Sequence, residues 1–170
     1  MGRSRLAFSN VRVQTMANNF DVRKDDLTHP QTRSLLEYHL RQMHAASPPG
    51  SVFALDLSGL QARNISVWSV WSQDRVACVG ALKELDSSGG ELKSMRTHPD
   101  FLRKGAASVL LDHIIATARE RGFKRLSLET GSGPSFEPAL SLYRRRGFNP
   151  GEPFGGYNAT PFNQFFHLDL

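Results

Sequence analysis

The spacing of apolar residues changes along the chain and predicts both helices and strands. Between Thr28 and Ser47 apolar residues recur every three or four positions, which is typical of an amphipathic helix. Thr28 is the predicted N-cap, and the turn residues at 47–50 end this helix. From Ile65 to Trp71 the period becomes two, which predicts a strand whose odd- and even-numbered side chains lie on opposite faces.

A second region of helical spacing begins at Ala106 and ends at Gly122, a residue type that favours a helix C-terminus. The other predicted elements are helices within 51–60 and at Pro138–Arg146, and strands at 20–23, 75–85, 91–97, 125–130 and 165–170. This order indicates a mixed α/β layer fold. Its first half is mostly antiparallel, and it contains one right-handed crossover.

Length and composition favour a single cytoplasmic domain. The chain has 170 residues, 39% of them hydrophobic, and we predict one domain at 20–170 after a poorly ordered extension at 1–19. No apolar run approaches the ~18 residues that a membrane span needs, so we expect no membrane partner. The only cysteine, Cys78, excludes an internal disulfide framework and a cysteine-rich zinc site.

The net charge of +5 is concentrated near the N-terminus. Residues 1–20 contain Arg3, Arg5 and Arg12 and no acidic residue, whereas the rest of the chain has 18 basic and 16 acidic residues. That balance does not favour a broad phosphate-binding face, and we predict no nucleic-acid partner. The first residues contain no acidic residue, and two interpretations of them stay open. Residues 1–15 are an organellar import signal, or the protein begins later, at Met16.

A short basic loop precedes the helix that begins at Ala106. The first amides of a helix have no intrahelical acceptor and carry the positive end of its dipole, so they bind anions. The small residues Gly105 to Ala107 allow a ligand close to the backbone, and Arg103 and Lys104 add positive charge. The alternative is an ordinary strand-to-helix connection with solvated charges. The spacing fits neither a P-loop nor a dinucleotide-binding fingerprint.

Two segments of the sequence resemble the GNAT N-acetyltransferases. Leu102-Arg103-Lys104-Gly105-Ala106-Ala107 is similar to the family's pyrophosphate loop, although Leu102 replaces the usual Gln or Arg. Ala139-Leu140-Ser141-Leu142-Tyr143-Arg144-Arg145-Arg146-Gly147-Phe148 is similar to its Ala-x-x-Leu-Tyr-x-x-x-Gly-Phe segment. Segments such as Gly80-Ala81-Leu82-Lys83-Glu84-Leu85 extend the resemblance to a bacterial subgroup labelled indole-acetate acetyltransferases.

The resemblance implies the GNAT fold, a mixed, mostly antiparallel twisted sheet flanked by helices, with splayed central strands. It implies acetyl-CoA as co-substrate, with the pantetheine arm bordered by Met95, Arg96 and Thr97. The residues implied for the pyrophosphate are Arg103, Lys104, Gly105, Ala106, Ala107 and Ser108. The implied activity is N-acetyl transfer to a small-molecule amine by direct attack in a ternary complex. A non-catalytic acyl-CoA-binding or sensing module is the alternative, because fold alone does not determine function.

Tyr143 and Glu91 are the predicted catalytic residues. A phenol near the sulfur of CoA can protonate the leaving thiolate, although Tyr143 also fits a core aromatic position. Glu91 lies on the strand before the loop, where histone-acetylating relatives have their catalytic glutamate. A charge at the hairpin edge is the alternative for Glu91, and Glu84 and Glu129 are weaker candidates for the base.

The acceptor pocket is predicted between the first helix and the late hairpin. Its expected residues are Tyr38, His39, His44 and Tyr157; the alternative is that these aromatic side chains only close the core. The pocket lacks the run of acidic residues that would attract a polycationic peptide, which favours a small amine. No His-x-x-x-His or His-Glu pair is present, so we predict no metal. Whether the chain forms a homodimer stays an open question at this point.

Overall fold

The computed structural model describes residues 19–170, which form a seven-stranded sheet in the order β1-β2-β3-β4-β5-β7-β6. The strands are β1 (Phe20–Lys24), β2 (Ile65–Ser72), β3 (Arg75–Glu84), β4 (Gly89–Thr97), β5 (Arg125–Gly131), β6 (Asn149–Pro150) and β7 (Asn163–Asp169). The helices are α1 (Pro30–Ala46), α2 (Leu57–Leu60), α3 (Ala106–Glu120) and α4 (Glu137–Arg145). Residues 1–18, most of the predicted extension, lie outside the described part.

The mixed sheet confirms the predicted fold class. β1 to β4 pair antiparallel, β4 and β5 pair parallel across the α3 connection, and β7 pairs antiparallel with both β5 and β6. The α/β layer prediction and the mostly antiparallel first half are therefore correct. Within residues 19–170, no helix combines the length and apolar character that crossing a bilayer requires.

Two local predictions are wrong. His29, not Thr28, caps α1, because its imidazole accepts from the amide of Gln31 while the Thr28 hydroxyl donates to Asp26. The second correction is that β4 begins at residue 89 and not at 91, since the glycine pair before Glu91 also joins the sheet. The short helix predicted within 51–60 is confirmed as α2, which Asp56 caps through the amide of Gly59.

The sheet separates two apolar layers, and β2 contributes to both. Trp68 and Val70 pack in the layer that holds α3 and α4, whereas Val67 and Trp71 pack in the layer that holds α1 and α2. This division confirms the alternation predicted from Ile65 to Trp71. Both faces of the central strands are thus covered, and a polar side chain on them is buried unless the fold opens a cavity.

The cavity arises where β4 and β5 separate. Their parallel pairing covers Gly89 to Glu91 of β4 and Arg125 to Ser127 of β5, and it stops there. Beyond those residues each strand keeps its partner on the outer side, but the two inner edges are unpaired. Backbone groups on such edges can bind an extended ligand. This geometry matches the splayed central strands that the resemblance implies.

Candidate active site

A cavity of about 380 Å³ occupies the gap between β4 and β5 and connects the two faces of the sheet. Tyr143, Phe136 and Ala139 line it from the α3 and α4 side, and His39 and Met43 line it from the α1 side. Its volume lies within the ~300–1000 Å³ usual for small-molecule sites. A ligand entering the gap therefore has access to side chains from both layers.

Glu91 and Lys93 form a buried ion pair on the α1 side of β4. The Lys93 ammonium donates to Glu91 Oε1 at 3.0 Å. The Lys93 side chain is only 8% exposed and that of Glu91 only 3%. The Tyr157 hydroxyl donates to the same oxygen at 2.5 Å and accepts from Lys93 at 2.9 Å. Burial first, and then Glu91, raises the pKa of Tyr157 well above its usual range. The alternative of a hairpin-edge charge at Glu91 is wrong.

Glu129 carries the other carboxylate of the cavity. It lies on β5 two residues after Ser127, the partner of Glu91, so both carboxylates lie on the same face of the sheet. No hydrogen bond or ion pair joins the Glu129 side chain to any residue in 19–170. The pKa of Glu129 is raised to about 7: burial raises it most, the Lys93 charge lowers it, and the Glu91 charge raises it by a smaller amount. A carboxylate with a pKa near neutrality is suited to accept a proton.

Sequence reasoning ranked Glu129 below Glu91 because Glu91 lies where histone-acetylating relatives have their catalytic glutamate. A signal was nevertheless present. Ser127 and Glu129 alternate with Leu126 and Leu128 in a strand at the centre of the fold, where polar side chains are unusual. Glu84, the third candidate, is exposed at the end of β3 and does not line the cavity.

Tyr143 is placed on α4 with its ring 6% exposed and packed against Phe148. It lines the cavity, and no residue in the described part of the chain forms a hydrogen bond with its hydroxyl. Burial raises the pKa of Tyr143 well above its usual range, and the nearby Arg96 charge opposes that rise. The phenol is therefore protonated at neutral pH and can donate.

A bulge in β4 changes which side chains reach each face. Ser94 has φ +56°, and the register against β3 shifts at this point. Met95 then packs toward Leu110 of α3, whereas Arg96 returns to the α1 side shared by Glu91. Strict alternation would have exchanged these two side chains. Ser94 itself is 9% exposed, lines the cavity and has no partner for its hydroxyl within residues 19–170.

Arg96 is held by His39 of α1. Its Nε donates to His39 Nδ1 at 3.0 Å, and its guanidinium lies 5.8 Å from the centre of the Tyr38 ring. Burial lowers the pKa of His39 to about 3, and the Arg96 charge contributes. The imidazole is consequently neutral, and the positive charge of Arg96 stays at the cavity wall.

The loop before α3 retains the anion-binding features predicted from sequence. Gly105 is the N-cap with φ +90°, and no side chain in residues 19–170 bonds to the first amides of the helix. A Cβ built at Gly105 meets no atom of the described residues within 4 Å, so the space beside this N-cap is open. Arg103 adopts φ +58° and is exposed, as is Lys104, while Ala107 and Ser108 are half-buried behind them. These groups fit the phosphates of an acyl-CoA.

The remaining predicted acceptor residues do not all meet at the cavity. Tyr157 and His39 line it, whereas Tyr38 borders a separate groove beside Pro30 and Pro99. His44 is exposed on the far side of α1 and lines neither space. The prediction of one pocket formed by all four residues is wrong in this respect, because α1 turns its own side chains in different directions.

The comparison with known families agrees with this geometry. The family described as "Acetyltransferase (GNAT) family" matches residues 29–148. The chain belongs to the GNAT acetyltransferase family. This GNAT enzyme is 51% identical over 149 residues to the uncharacterized N-acetyltransferase YsnE of Bacillus subtilis, a match that covers 88% of this chain and 99% of YsnE.

Two further similarities agree with this assignment, one in sequence and one in fold. The uncharacterized N-acetyltransferase YedL of Escherichia coli is 46% identical over 151 residues, which cover 89% of this chain and 95% of YedL. A crystal structure of a GNAT family acetyltransferase from Elizabethkingia anophelis with acetyl-CoA bound superposes with a TM-score of 0.63 at 15% identity, covering 90% and 99% of the two chains. The protein is therefore an acyltransferase with the GNAT fold.

Proposed function

We propose that this GNAT enzyme transfers an acetyl group from acetyl-CoA to the amine of a small molecule by direct attack in a ternary complex. One observation carries the proposal. The cavity between the unpaired edges of β4 and β5 joins the Tyr143 phenol on one face of the sheet to the partnerless Glu129 carboxylate on the other. An acid and a base thus border one space from opposite sides.

Acetyl-CoA fits the chain at two places. The open, uncapped amides at Gly105 and Ala106, with Arg103 and Lys104 beside them, would hold the pyrophosphate. The unpaired edge of β4 at Met95 to Thr97 would bond the pantetheine amides. When bound, acetyl-CoA supplies the acetyl group as a thioester. The Elizabethkingia anophelis relative, with acetyl-CoA bound, supports this choice of donor.

Glu129 is the proposed general base. Its side chain has no hydrogen-bonding partner among residues 19–170, whereas Glu91 Oε1 already accepts from Lys93 and Tyr157. Burial is the main reason that the pKa of Glu129 lies near 7, and the neighbouring Glu91 charge contributes less. Glu91 stays the second candidate for the base, and the pair of variants Glu129→Gln and Glu91→Gln separates the two.

The protons balance as follows. Glu129 accepts one proton from the acceptor ammonium, and the free amine forms a bond to the thioester carbonyl carbon. Backbone amides near Met95 would stabilise the negative charge on the carbonyl oxygen. As the carbon–sulfur bond breaks, Tyr143 donates its proton to the sulfur, and the second proton lost by the nitrogen restores the Tyr143 phenol. In sum, ammonium and thioester give amide, thiol and one proton, which Glu129 releases to water.

Replacing Tyr143 with Phe tests the proposal. The variant should retain its affinity for CoA and lose about 10²-fold in turnover, the scale of one general acid. Thiol release measured with acetyl-CoA and an amine panel gives the rate, and calorimetry with CoA gives the affinity. Phe148→Leu, which alters the neighbouring ring without removing a hydroxyl, is the matched packing control.

Two outcomes would contradict the proposal. Full turnover by Tyr143→Phe at every pH would limit Tyr143 to packing. Tight binding of acetyl-CoA by the wild-type protein, without transfer to any amine of the panel, would favour the non-catalytic acyl-CoA-sensing alternative.

A further inference from the structure

The guanidinium of Arg96 is prepared to bind an anion. Only its Nε has a hydrogen-bond partner in the described part of the chain, the neutral imidazole of His39. Besides His39, the ionisable groups in residues 19–170 that act on the charge of Arg96 are Tyr38, Tyr143 and Cys78, and none of them is a carboxylate. Both terminal nitrogens of a half-buried guanidinium are thus left for a ligand. A planar fork of this kind matches a carboxylate with two parallel hydrogen bonds.

The other charges of the cavity cancel except for one carboxylate. Glu91 and Lys93 neutralise each other through their ion pair. Glu129 lies on the same face of the sheet as Arg96, and its side chain has no hydrogen-bond or ion-pair partner among residues 19–170. The cavity thereby presents one uncompensated negative group and one uncompensated positive group, an arrangement complementary to a zwitterion.

Ser94 gives independent evidence of a polar ligand at this place. Its hydroxyl is buried at the cavity wall between the Lys93 and Arg96 positions and has no hydrogen-bond partner within residues 19–170. Buried hydroxyls in native proteins are almost always satisfied. A carboxylate held by Arg96 would supply the missing acceptor.

The rest of the cavity wall is mainly apolar or aromatic. These side chains include Met43, Ala46, Phe53, Ala54, Phe136 and Tyr157, and the uncharged polar side chains beside them are Gln42, Thr130 and Ser135. The space of about 380 Å³ must also contain the acyl end of the donor. A small acceptor with an apolar side chain fits what is left, whereas a charged side chain would be desolvated there without compensation.

We propose that the acceptor is a free α-amino acid with an apolar side chain, whose carboxylate binds Arg96 and Ser94 while its ammonium faces Glu129. This inference rests on the acetyl-transfer function proposed for the same site. It distinguishes the acceptor from a peptide N-terminus, in which the α-carboxylate is an amide, and from a simple amine.

The test uses matched acceptors with the wild-type enzyme. L-methionine, L-leucine and L-phenylalanine are compared with their amides, which keep the ammonium and side chain but lack the carboxylate. We expect kcat/KM for the acids to exceed that for the amides by about 10²-fold, the effect of a lost partner at a buried charge. L-aspartate and L-lysine serve as charged-side-chain controls and should be poor acceptors.

Arg96 variants then locate the carboxylate. In Arg96→Gln the ratio of acid to amide kcat/KM should fall to near one, and in Arg96→Lys it should be intermediate because the charge stays but the fork is lost. Calorimetry with CoA and a thermal melt accompany each variant. A large loss of CoA affinity in a folded Arg96→Gln would overturn the inference by assigning Arg96 to the donor.

The remaining outcomes separate the inference from the function on which it rests. Amides, simple amines or peptides acetylated as well as the acids would overturn the amino-acid assignment and leave acetyl transfer intact. A preference for aspartate or lysine would overturn the assignment of an apolar side chain to the acceptor. CoA binding without acetylation of any amine would overturn both proposals.

Discussion

β4 and β5 differ at their two ends, although they are neighbours throughout. At Gly89 to Glu91 they exchange parallel backbone hydrogen bonds, and Gly90 is packed between Leu82 and Phe123. Past that point the inner edges are unpaired, and the side chains that border the gap include two carboxylates and two cations, Glu91, Glu129, Lys93 and Arg96.

The paired end of β4 and β5 contributes packing to the core, and the open end borders the cavity in which a ligand can bind. Backbone groups in the paired part satisfy one another, and Gly90 there faces only apolar side chains in the part of the chain described, residues 19–170. In the open part the backbone N–H and C=O groups on the inner edges are unpaired and can bond to a ligand. The charged side chains beside them are shielded from bulk water. The predictions below test whether changes at the open end alter chemistry and changes at the paired end alter stability.

The largest expected effect is on turnover, from Glu129→Gln at the open end. Removing the general base should lower kcat about 10²- to 10⁴-fold. In the wild type kcat/KM should rise as pH increases through about 7, because the pKa of Glu129 lies there and the base must be deprotonated. The variant should lose this limb in a pH-rate profile. Glu91→Gln is the control; if it alone removes the limb, Glu91 is the base.

Gly105→Asp should lower CoA affinity about 10²-fold or more without unfolding the protein. The carboxylate would lie beside the uncapped amides of α3 and repel the phosphates. Gly105→Ala adds the same Cβ and the same strain at φ +90° without charge, so it is the matched control. Calorimetry with CoA measures both. Equal affinities for the two variants would refute electrostatic recognition at this loop.

At the paired end, Gly90→Ala should destabilise the protein by about 1–3 kcal/mol, the usual effect of overpacking. A Cβ there meets Leu82 and Phe123 at 2.9 Å, and both side chains are buried. Gly89→Ala is the control, since its Cβ meets only Asp86 Oδ1 at 3.4 Å. Urea denaturation compares the free energies of unfolding. Equal losses in both variants would mean that backbone entropy, not packing, dominates here.

The smallest expected effect is a gain in stability for Glu129→Gln. Folding raises the pKa of this carboxyl from its usual 4.5 to about 7, so the folded state loses stability as pH rises from 4.5 through 7. The neutral Gln avoids that loss. The variant should melt above the wild type at pH 8 and with it at pH 4. A lower melting temperature at pH 8 would show that the carboxylate stabilises the fold.

Sequence patterns were sufficient for most of the fold because they are local. The alternation of β2 and the apolar stripe of α3 predicted which residues are buried, and both predictions are confirmed by the two core layers. The cap of α1 was missed because Thr28 and His29 are both able to cap, and the bond between Thr28 and Asp26 decides between them. Helix boundaries depend on such competing local bonds.

The sequence by itself determined the order of elements and the loop before α3, because those features depend on local spacing, and two of its segments resemble the GNAT family to which the chain belongs. Only the tertiary structure decided which charges share the cavity. The bulge at Ser94 places Arg96 on the face of Glu91, and the end of strand pairing opens the cavity that Glu129 lines. Both depend on where two distant strands pair and where they stop, which no period along a single strand specifies.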